Sequence, residues 1–80
     1  MLFVYLIRST NNPNRTYVGL TKNVERRLND HNTSRIHSTR RHKPWELVSV
    51  HWFQNPDKAK AFESYLKSGS GRAFANKRLW

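Results

Sequence analysis

The fold of this chain is decided by residues Phe3–Gly19, which read FVYLIRSTNNPNRTYVG. Residues 3–8 and 15–19 are rich in β-branched and aromatic side chains, and residues 9–14 between them include three asparagines and a proline. Two strand-forming arms around a polar, turn-forming break are typical of a β-hairpin. The segment therefore predicts two antiparallel strands joined by a short loop.

The register of the hairpin decides how two tyrosines, Tyr5 and Tyr17, are placed relative to each other. If the turn is centred on Asn11, Tyr5 lies directly opposite Tyr17. Opposite residues of an antiparallel pair share a face, with Cβ atoms about 4.5–5.5 Å apart, whereas a slip of one residue places them on opposite faces. The two tyrosines are either a packing pair or the floor of a site, and the hairpin alone leaves both interpretations open.

The composition indicates a small domain with an anionic partner. Fifteen Lys and Arg against five Asp and Glu give a formal charge of +10 over 80 residues, which favours nucleic acid, DNA in the first place, over a membrane surface. The apolar run Met1–Ile7 is too short to span a bilayer. The absence of cysteine excludes disulfides and thiolate metal sites and fits a cytoplasmic location. We expect a single domain over residues 1–80.

The first helix carries polar residues on its core face. It is predicted over residues 22–33, with Thr21 as its cap. The spacing i, i+3, i+4, i+7 selects Val24, Arg27, Leu28 and His31. Arg27 and His31 thus fall where apolar residues belong, and such violations of the pattern tend to mark functional or strained sites.

Residues 34–44 form a basic loop without hydrophobic periodicity. Its cations, with one lysine before it and one arginine after it, are candidate nucleic-acid contacts: Lys22, Arg35, Arg40, Arg41, Lys43 and Arg72. Each phosphate that they neutralise steepens the salt dependence of binding by about 0.9 in log–log slope. A merely solvated face is the alternative, but the density of arginine favours a phosphate-contact surface.

A third strand is predicted over Trp45–Phe53. Strict alternation divides it into one face with Val48, Val50 and Trp52 and another with Leu47, Ser49, His51 and Phe53. Both faces carry apolar residues, as expected for a strand with helices packed on both sides of its sheet.

The second helix has a strong start signal at Asn55–Asp57, with Asn as the cap and Pro at the first helical position. It is predicted to run to about Ser68, where Gly69 ends it. Its core stripe consists of Ala59, Phe62, Glu63 and Leu66. A carboxylate in a core stripe needs a metal or a cation as its partner. A purely structural ion pair between Glu63 and Arg27 is the alternative to a functional role.

A last short helix is predicted over Arg72–Arg78 and carries Asn76. The element order is then β-β-α-β-α-α. The fold class is α/β (more narrowly α+β), with a small three-stranded antiparallel sheet flanked by helices. The sheet carries the two tyrosines and the helices bring the arginine, the histidine and the glutamate to it, which predicts one site.

These residues give the chain a resemblance to the GIY-YIG nucleases, in particular to the small single-domain type that is similar to the N-terminal catalytic domain of an excinuclease. Phe3-Val4-Tyr5 stands where the family has Gly-Ile-Tyr, and Tyr17-Val18-Gly19 where it has Tyr-Ile-Gly. Arg27 matches the family's catalytic arginine, and Glu63 matches its metal-binding glutamate. Two further active-site positions found in some members are matched by His31 and Asn76.

The chain departs from the family pattern after the second motif. Leu20 stands where many members carry a lysine, so the role of that lysine is either absent or moved, with Lys22 as a candidate.

The resemblance implies metal-dependent hydrolysis of a phosphodiester, with one Mg²⁺ (Mn²⁺ as a substitute) held by Glu63. The implied catalytic residues are Tyr5, Tyr17, Arg27, His31, Glu63 and Asn76. Arg27 would contact the scissile phosphate, and Tyr17, with Tyr5 as second choice, would be the general base or position the water. A helix-face histidine without a role and a simple hydrogen-bonding Asn76 stay open as alternatives.

The leading hypothesis is therefore an endonuclease acting on DNA in repair, recombination or processing, with little sequence specificity. The alternative is a non-catalytic nucleic-acid-binding module, or an adaptor of a larger repair or nuclease complex. The discriminating residue is Glu63, because a pure binding module does not need a carboxylate on its core stripe.

Overall fold

A computed structural model describes all 80 residues. The elements follow in the predicted order of strand, strand, helix, strand, helix and helix, with a turn of 3₁₀ helix inside the basic loop. Their bounds are β1 Leu2–Ser9, β2 Thr16–Thr21, α1 Val24–Asn32, β3 Trp45–Phe53, α2 Pro56–Leu66 and α3 Gly69–Arg78. The strands form one antiparallel sheet in the order β2-β1-β3. The predicted fold class is confirmed.

The hairpin of β1 and β2 has a different register from the predicted one. Tyr5 pairs with Gly19, and Tyr17 pairs with Ile7, so the prediction that the two tyrosines are directly opposite is wrong. The displacement is two residues along the strand. Because side chains alternate with a period of two, both tyrosines still lie on the same face of the sheet.

The loop of the hairpin explains the new register. The Arg15 N–H donates to the Asn12 carbonyl at 2.8 Å and closes a turn with Pro13 at its second position. Asn at the first position and Pro at the second are favoured in such turns. The turn is therefore centred beyond Asn11, and the second strand is displaced accordingly.

A β-bulge in β3 changes the faces predicted for this strand. Leu6 pairs with Ser49 and Ile7 with Leu47, so Val48 is the extra residue. Strict alternation placed Val48 on the wrong face: it packs with the core beneath α2 and α3. Leu47 instead shares the α1 side of the sheet with Val50. A bulge of this kind bends the strand and shifts the alternation by one residue.

α1 begins at Val24, two residues later than predicted, and ends at Asn32. Its N-cap is Asn23, whose Oδ1 accepts a hydrogen bond from the Arg26 N–H at 3.0 Å. The predicted cap, Thr21, instead ends β2, and its hydroxyl accepts from the Asn23 N–H at 3.1 Å. Both residue types are good caps, so the length of the preceding strand decides between them.

α2 begins as predicted but ends early. Asn55 Oδ1 accepts from the Asp57 N–H at 2.8 Å, and Pro56 is the first helical residue. The helix stops at Leu66, and Gly69 does not terminate it but is the first residue of α3.

α3 begins before the predicted start at Arg72. Ser68 is its N-cap and accepts a hydrogen bond from the Gly71 N–H at 3.2 Å. A Cβ atom on Gly71 would collide with the carbonyl group of Tyr65. Ser68 and the first turn of α3 therefore form a tight cap and a close contact instead of a loop.

β1 is the central strand, and its residues are buried on both faces. Val4 and Leu6 pack against α2 and α3 through Ala59, Leu66 and Ala75. The other face carries Tyr5, Ile7, Trp45 and Tyr17, which pack against Val24 and Leu28 of α1. Helices thus cover both faces of the sheet, as predicted. None of the three helices has the length and apolar character needed to cross a membrane.

Candidate active site

Tyr5 lies in the middle of β1 and is fully buried. It pairs directly with Gly19 of β2, and its ring passes over this glycine. A Cβ atom on Gly19 would lie 2.5 Å from the Tyr5 hydroxyl oxygen. The glycine is therefore needed at this position because it leaves the space that the tyrosine ring occupies, a reason that follows from the register and not from the sequence motif.

His31 connects Tyr5 to the basic loop. Its Nε2 lies 2.8 Å from the Tyr5 hydroxyl oxygen, and its Nδ1 lies 2.7 Å from Thr39 Oγ1. Thr39 has its own acceptor in the Ile36 carbonyl, at a long 3.5 Å. Thr39 therefore accepts from Nδ1–H, and Nε2 is left to accept the hydroxyl hydrogen of Tyr5; the hydrogens are assigned from this network.

Burial shifts both members of this pair toward their uncharged forms. The pKa of His31 is lowered to about 4 by its burial and, to a lesser extent, by the positive charge of Arg27. Burial raises the pKa of Tyr5, and the neighbouring Arg27 guanidinium offsets part of that rise. At neutral pH the imidazole is therefore neutral and the Tyr5 phenol keeps its proton.

Tyr17 is the more accessible of the two tyrosines. Its ring centre lies 6.2 Å from that of Tyr5 and 4.9 Å from that of His31, which it meets edge-on. Its hydroxyl makes no hydrogen bond within the protein and is not buried. The two tyrosines thus belong to one cluster but differ in availability: one hydroxyl is occupied, the other is free.

Arg27 stands beside this cluster with free hydrogen-bonding capacity. Its side chain is 39% exposed, and its guanidinium lies 4.0 Å from the Asp30 carboxylate, a weak contact. The interaction with the Tyr5 hydroxyl raises the pKa of Arg27 further. Its Nε–H is buried without a hydrogen-bond partner. A buried donor without a partner is costly. The exposed part of the same side chain lines an adjacent cleft with Lys22 and Arg26, where an anion would meet three cations.

Glu63 has a cation as its partner, as a carboxylate on a core stripe requires. Its Oε2 lies 2.5 Å from Lys67 Nζ, and its side chain is only 17% exposed. The same ammonium lies 6.0 Å from the centre of the Tyr17 ring. The structural alternative, an ion pair between Glu63 and Arg27, is not formed. Lys67 was missed in the sequence, although a lysine four residues after a glutamate is a recognisable helical pair.

Tyr17 and Lys67 share an open cleft of about 410 Å³ with residues of α3. Its lining is Thr16, Tyr17, Val18, Leu66, Lys67, Arg72, Asn76 and Trp80. The exposed Asn76 and Arg72 therefore lie at the mouth of the cleft, near the cluster but not in contact with Tyr5. The structure brings Tyr5, Tyr17, Arg27 and His31 together directly, and links Glu63 to them through Lys67.

The six candidate nucleic-acid contacts are all exposed. Arg40 and Arg41 line a small cleft of the basic loop with His37, Ser38 and His42. The loop is tied to the site at Thr39, which binds His31 through its hydroxyl and accepts from Trp45 Nε1–H through its carbonyl at 2.8 Å. Thr39 is a second residue that sequence reasoning missed, because its role depends on how the loop folds back.

The donor set fits one hard cation and no more. The chain has no cluster of three His, Cys, Asp or Glu side chains, so a zinc site is excluded by the side chains present. A single carboxylate, completed by waters and substrate phosphate oxygens, is an ordinary arrangement for Mg²⁺. Glu63, largely buried and paired only with an ammonium, has the chemistry for such a site.

A family model for the GIY-YIG catalytic domain matches residues 1–78. The chain therefore belongs to the GIY-YIG catalytic domain family, and the resemblance inferred from the two tripeptides, the arginine and the glutamate is confirmed.

Individual relatives give a more particular likeness. The chain is similar to the structure-specific endonuclease subunit SLX1 of Cryptococcus neoformans var. neoformans serotype D, in strains JEC21 and B-3501A, with 47% identity over 51 residues. The match covers 58% of this chain and 10% of each relative, so the chain spans about a tenth of their length.

A solved structure has a similar fold. The solution NMR structure of the UPF0213 protein BH0048 from Bacillus halodurans is 25% identical, with a TM-score of 0.56, over 96% of this chain and 84% of that one.

Proposed function

We propose that this chain is a Mg²⁺-dependent endonuclease that hydrolyses phosphodiester bonds in DNA. The observation that carries the proposal is the cluster of Tyr5, Tyr17, Arg27 and His31. Lys67, which pairs with Glu63, lies beside Tyr17 in the adjoining cleft. Membership of the GIY-YIG catalytic domain family supports the reaction class. The charge of +10 supports a polyanionic substrate.

Arg27 is the phosphate-binding residue in this proposal. Its guanidinium has one weak ion pair, with Asp30, and its Nε–H lacks an acceptor. The planar fork of arginine matches the geometry of phosphate oxygens, and donors aimed at developing charge are among the strongest catalytic devices. The Tyr5 hydroxyl is its neighbour on the buried side.

Tyr17 is assigned to the attacking water. Phosphoryl transfer requires a water that is positioned and that loses its proton. The Tyr17 hydroxyl is free and accessible, whereas the Tyr5 hydroxyl is buried and donates to His31. This difference supports Tyr17 as the residue that positions the water and that, in its phenolate form, would accept the proton of the water. Tyr5 is then a positioning residue.

Glu63 would hold one Mg²⁺, or Mn²⁺ in its place. When bound, the ion would neutralise charge on the phosphate and stabilise the leaving oxygen. Asn76 and Arg72, at the mouth of the same cleft as Tyr17, would contact the substrate backbone.

The substrate class is DNA with a structural irregularity, such as a branch or a nick. The name of the SLX1 relatives describes them as a structure-specific endonuclease subunit, which supports substrate shape over base sequence and a partner subunit in a larger complex. The exposed cations of the basic loop would contact phosphates, which carry no sequence information.

An assay of wild-type protein on branched, nicked, duplex and single-stranded DNA of identical sequence tests the proposal. We expect cleavage in Mg²⁺ or Mn²⁺, fastest on a branched or nicked substrate, and none in EDTA. Arg27→Ala should abolish cleavage, because the phosphate loses its main side-chain contact.

The alternative function, a non-catalytic binding module, gives a different outcome. It predicts DNA binding that is the same in Mg²⁺ and EDTA and no cleavage of any substrate. That result, or equal cleavage by wild type and Arg27→Ala, would overturn the proposal.

A further inference from the structure

Lys67 places a positive charge on the carboxylate that the proposed function assigns to the metal. Its Nζ lies 2.5 Å from Glu63 Oε2. The glutamate is 17% exposed, whereas the lysine is 50% exposed. The ammonium therefore covers Glu63 from the solvent side, inside the cleft that also holds Tyr17.

We propose that Lys67 is a built-in counter-ion of Glu63 that a divalent cation must displace in order to bind. The inference rests on the proposed function, because it takes Glu63 as the metal-binding residue. An ammonium and a divalent cation compete for the same carboxylate. Lys67 can leave at low cost, since its side chain is half exposed and sits on a flexible four-carbon stem. Glu63, on the sheet-facing stripe of α2, cannot follow it.

No other lysine on the chain is placed for this role. The position after Gly19 holds the uncharged Leu20. Lys22 lines a different cleft, with Arg27 and Asp30, and makes no ion pair with Glu63. The cation that stands beside Tyr17 is therefore supplied from the C-terminal end of α2 and not from the strand that carries the second tyrosine.

The competition should be modest in size. Ion pairs with substantial exposure contribute little to stability because solvent screens them. Removal of the lysine charge should therefore tighten divalent cation binding by about two- to fivefold. Such a pair keeps the carboxylate compensated in the metal-free protein without preventing metal uptake.

Mn²⁺ binding to the full chain in the absence of nucleic acid tests the inference, with the free aqua ion followed by its electron paramagnetic resonance signal. Lys67→Met should bind Mn²⁺ about two- to fivefold more tightly than wild type. Lys67→Arg, which keeps the charge, should stay close to wild type. The control is Lys58→Met, which removes an exposed lysine of the same helix that makes no ion pair with Glu63.

Three results would overturn the inference. The first is Lys67→Met binding that is no tighter than wild type, including no binding by either protein. The second is an equal gain from Lys58→Met, which would indicate a general effect of net charge. The third is a gain that persists in Lys67→Met combined with Glu63→Gln. Because no DNA is present, failure here is distinguishable from failure of the proposed function, which would appear as the absence of cleavage by wild type.

Discussion

Gly19 and Tyr5 depend on each other, because the ring of the tyrosine fills the space that a side chain at position 19 would need. The pairing of these two residues in the hairpin register makes the contact unavoidable. It also fixes where the Tyr5 hydroxyl meets His31, 2.8 Å away. The glycine of the second motif is thus a packing requirement of the tyrosine in the first.

Gly19→Ala should destabilise the protein by about 1–3 kcal/mol, since the added methyl group overpacks a fully buried site. The measurement is urea unfolding, with Gly69→Ala as the matched control. Position 69 has open space around it, so stability there should be unchanged or raised by up to about 1 kcal/mol. Equal stabilities of the two variants would contradict the packing argument.

The buried imidazole of His31 makes stability depend on pH. Its pKa is lowered to about 4 in the folded protein, against about 6.5 in the unfolded chain. Between these values the unfolded chain binds a proton that the folded one does not. The stability contribution of His31 is therefore present above about pH 6.5 and declines by about 2–3 kcal/mol as the pH falls toward 4.

Urea unfolding at about pH 7 and about pH 5 measures this dependence. His31→Gln should lose less stability than wild type over this interval, because the titrating group is removed. His51, whose pKa is also lowered by burial, remains in both proteins and gives a shared background. The same loss of stability in both proteins would show that His31 is protonated as readily in the folded state as in the unfolded chain.

At the scale of elements, the features predicted correctly are those that depend on local sequence patterns. The third strand has the predicted bounds, and Asn55 and Pro56 begin α2 as expected. The predicted register of the hairpin was wrong because the polar break is compatible with several turns. The turn that forms contains Asn12 and Pro13. The bulge at Val48 depends on pairing with β1, which a single strand's pattern does not contain.

Hydrogen bonds hold the basic loop against the rest of the protein. Asn32 at the end of α1 makes two hydrogen bonds with the backbone of Trp45, accepting from its N–H and donating to its carbonyl. The Trp45 indole then donates to the Thr39 carbonyl. These contacts hold both ends of the loop and position Thr39 beneath His31.

Thr39→Val should leave the Nδ1–H of His31 without an acceptor in a buried place, a cost of about 1–3 kcal/mol. Thr39→Ser keeps the hydroxyl and is the matched control. The ¹⁵N chemical shifts of His31 report the tautomer, which should remain the Nδ1–H form in the serine variant and change or become mixed in the valine variant. Identical shifts in wild type and Thr39→Val would show that Thr39 does not set the tautomer.

At the scale of the whole molecule, the charge of +10 includes the exposed cations of the basic loop, which hydrogen bonds connect to the site at Thr39. Arg40→Ala should weaken DNA binding and reduce the slope of log affinity against log salt by about 0.9, the effect of losing one phosphate contact. Binding measured in Ca²⁺ over a range of KCl concentrations gives the slope. Lys58→Ala is the control, and an equal change in slope would show that the loop is only a solvated face.

The candidate site shows which of its residues can be recognised from the sequence alone. Arg27, His31 and Glu63 were recognisable because each interrupts an apolar stripe, so the pattern itself marks them. Lys67 and Thr39 interrupt no pattern, and their places follow only from the packing of α2 and of the loop around the sheet. The residues that break a pattern therefore predict the site, and the fold identifies the residues that complete it.

Glu63 is the residue on which DNA hydrolysis by this fold depends in our proposal. The most direct test compares single-turnover cleavage of a branched DNA in Mg²⁺ by wild type, Glu63→Gln and the control Glu46→Gln, an exposed acid of β3. We predict that Glu63→Gln lowers the rate by at least about 100-fold while DNA binding is kept, and that Glu46→Gln cleaves like wild type. Cleavage by Glu63→Gln at the wild-type rate would contradict this role.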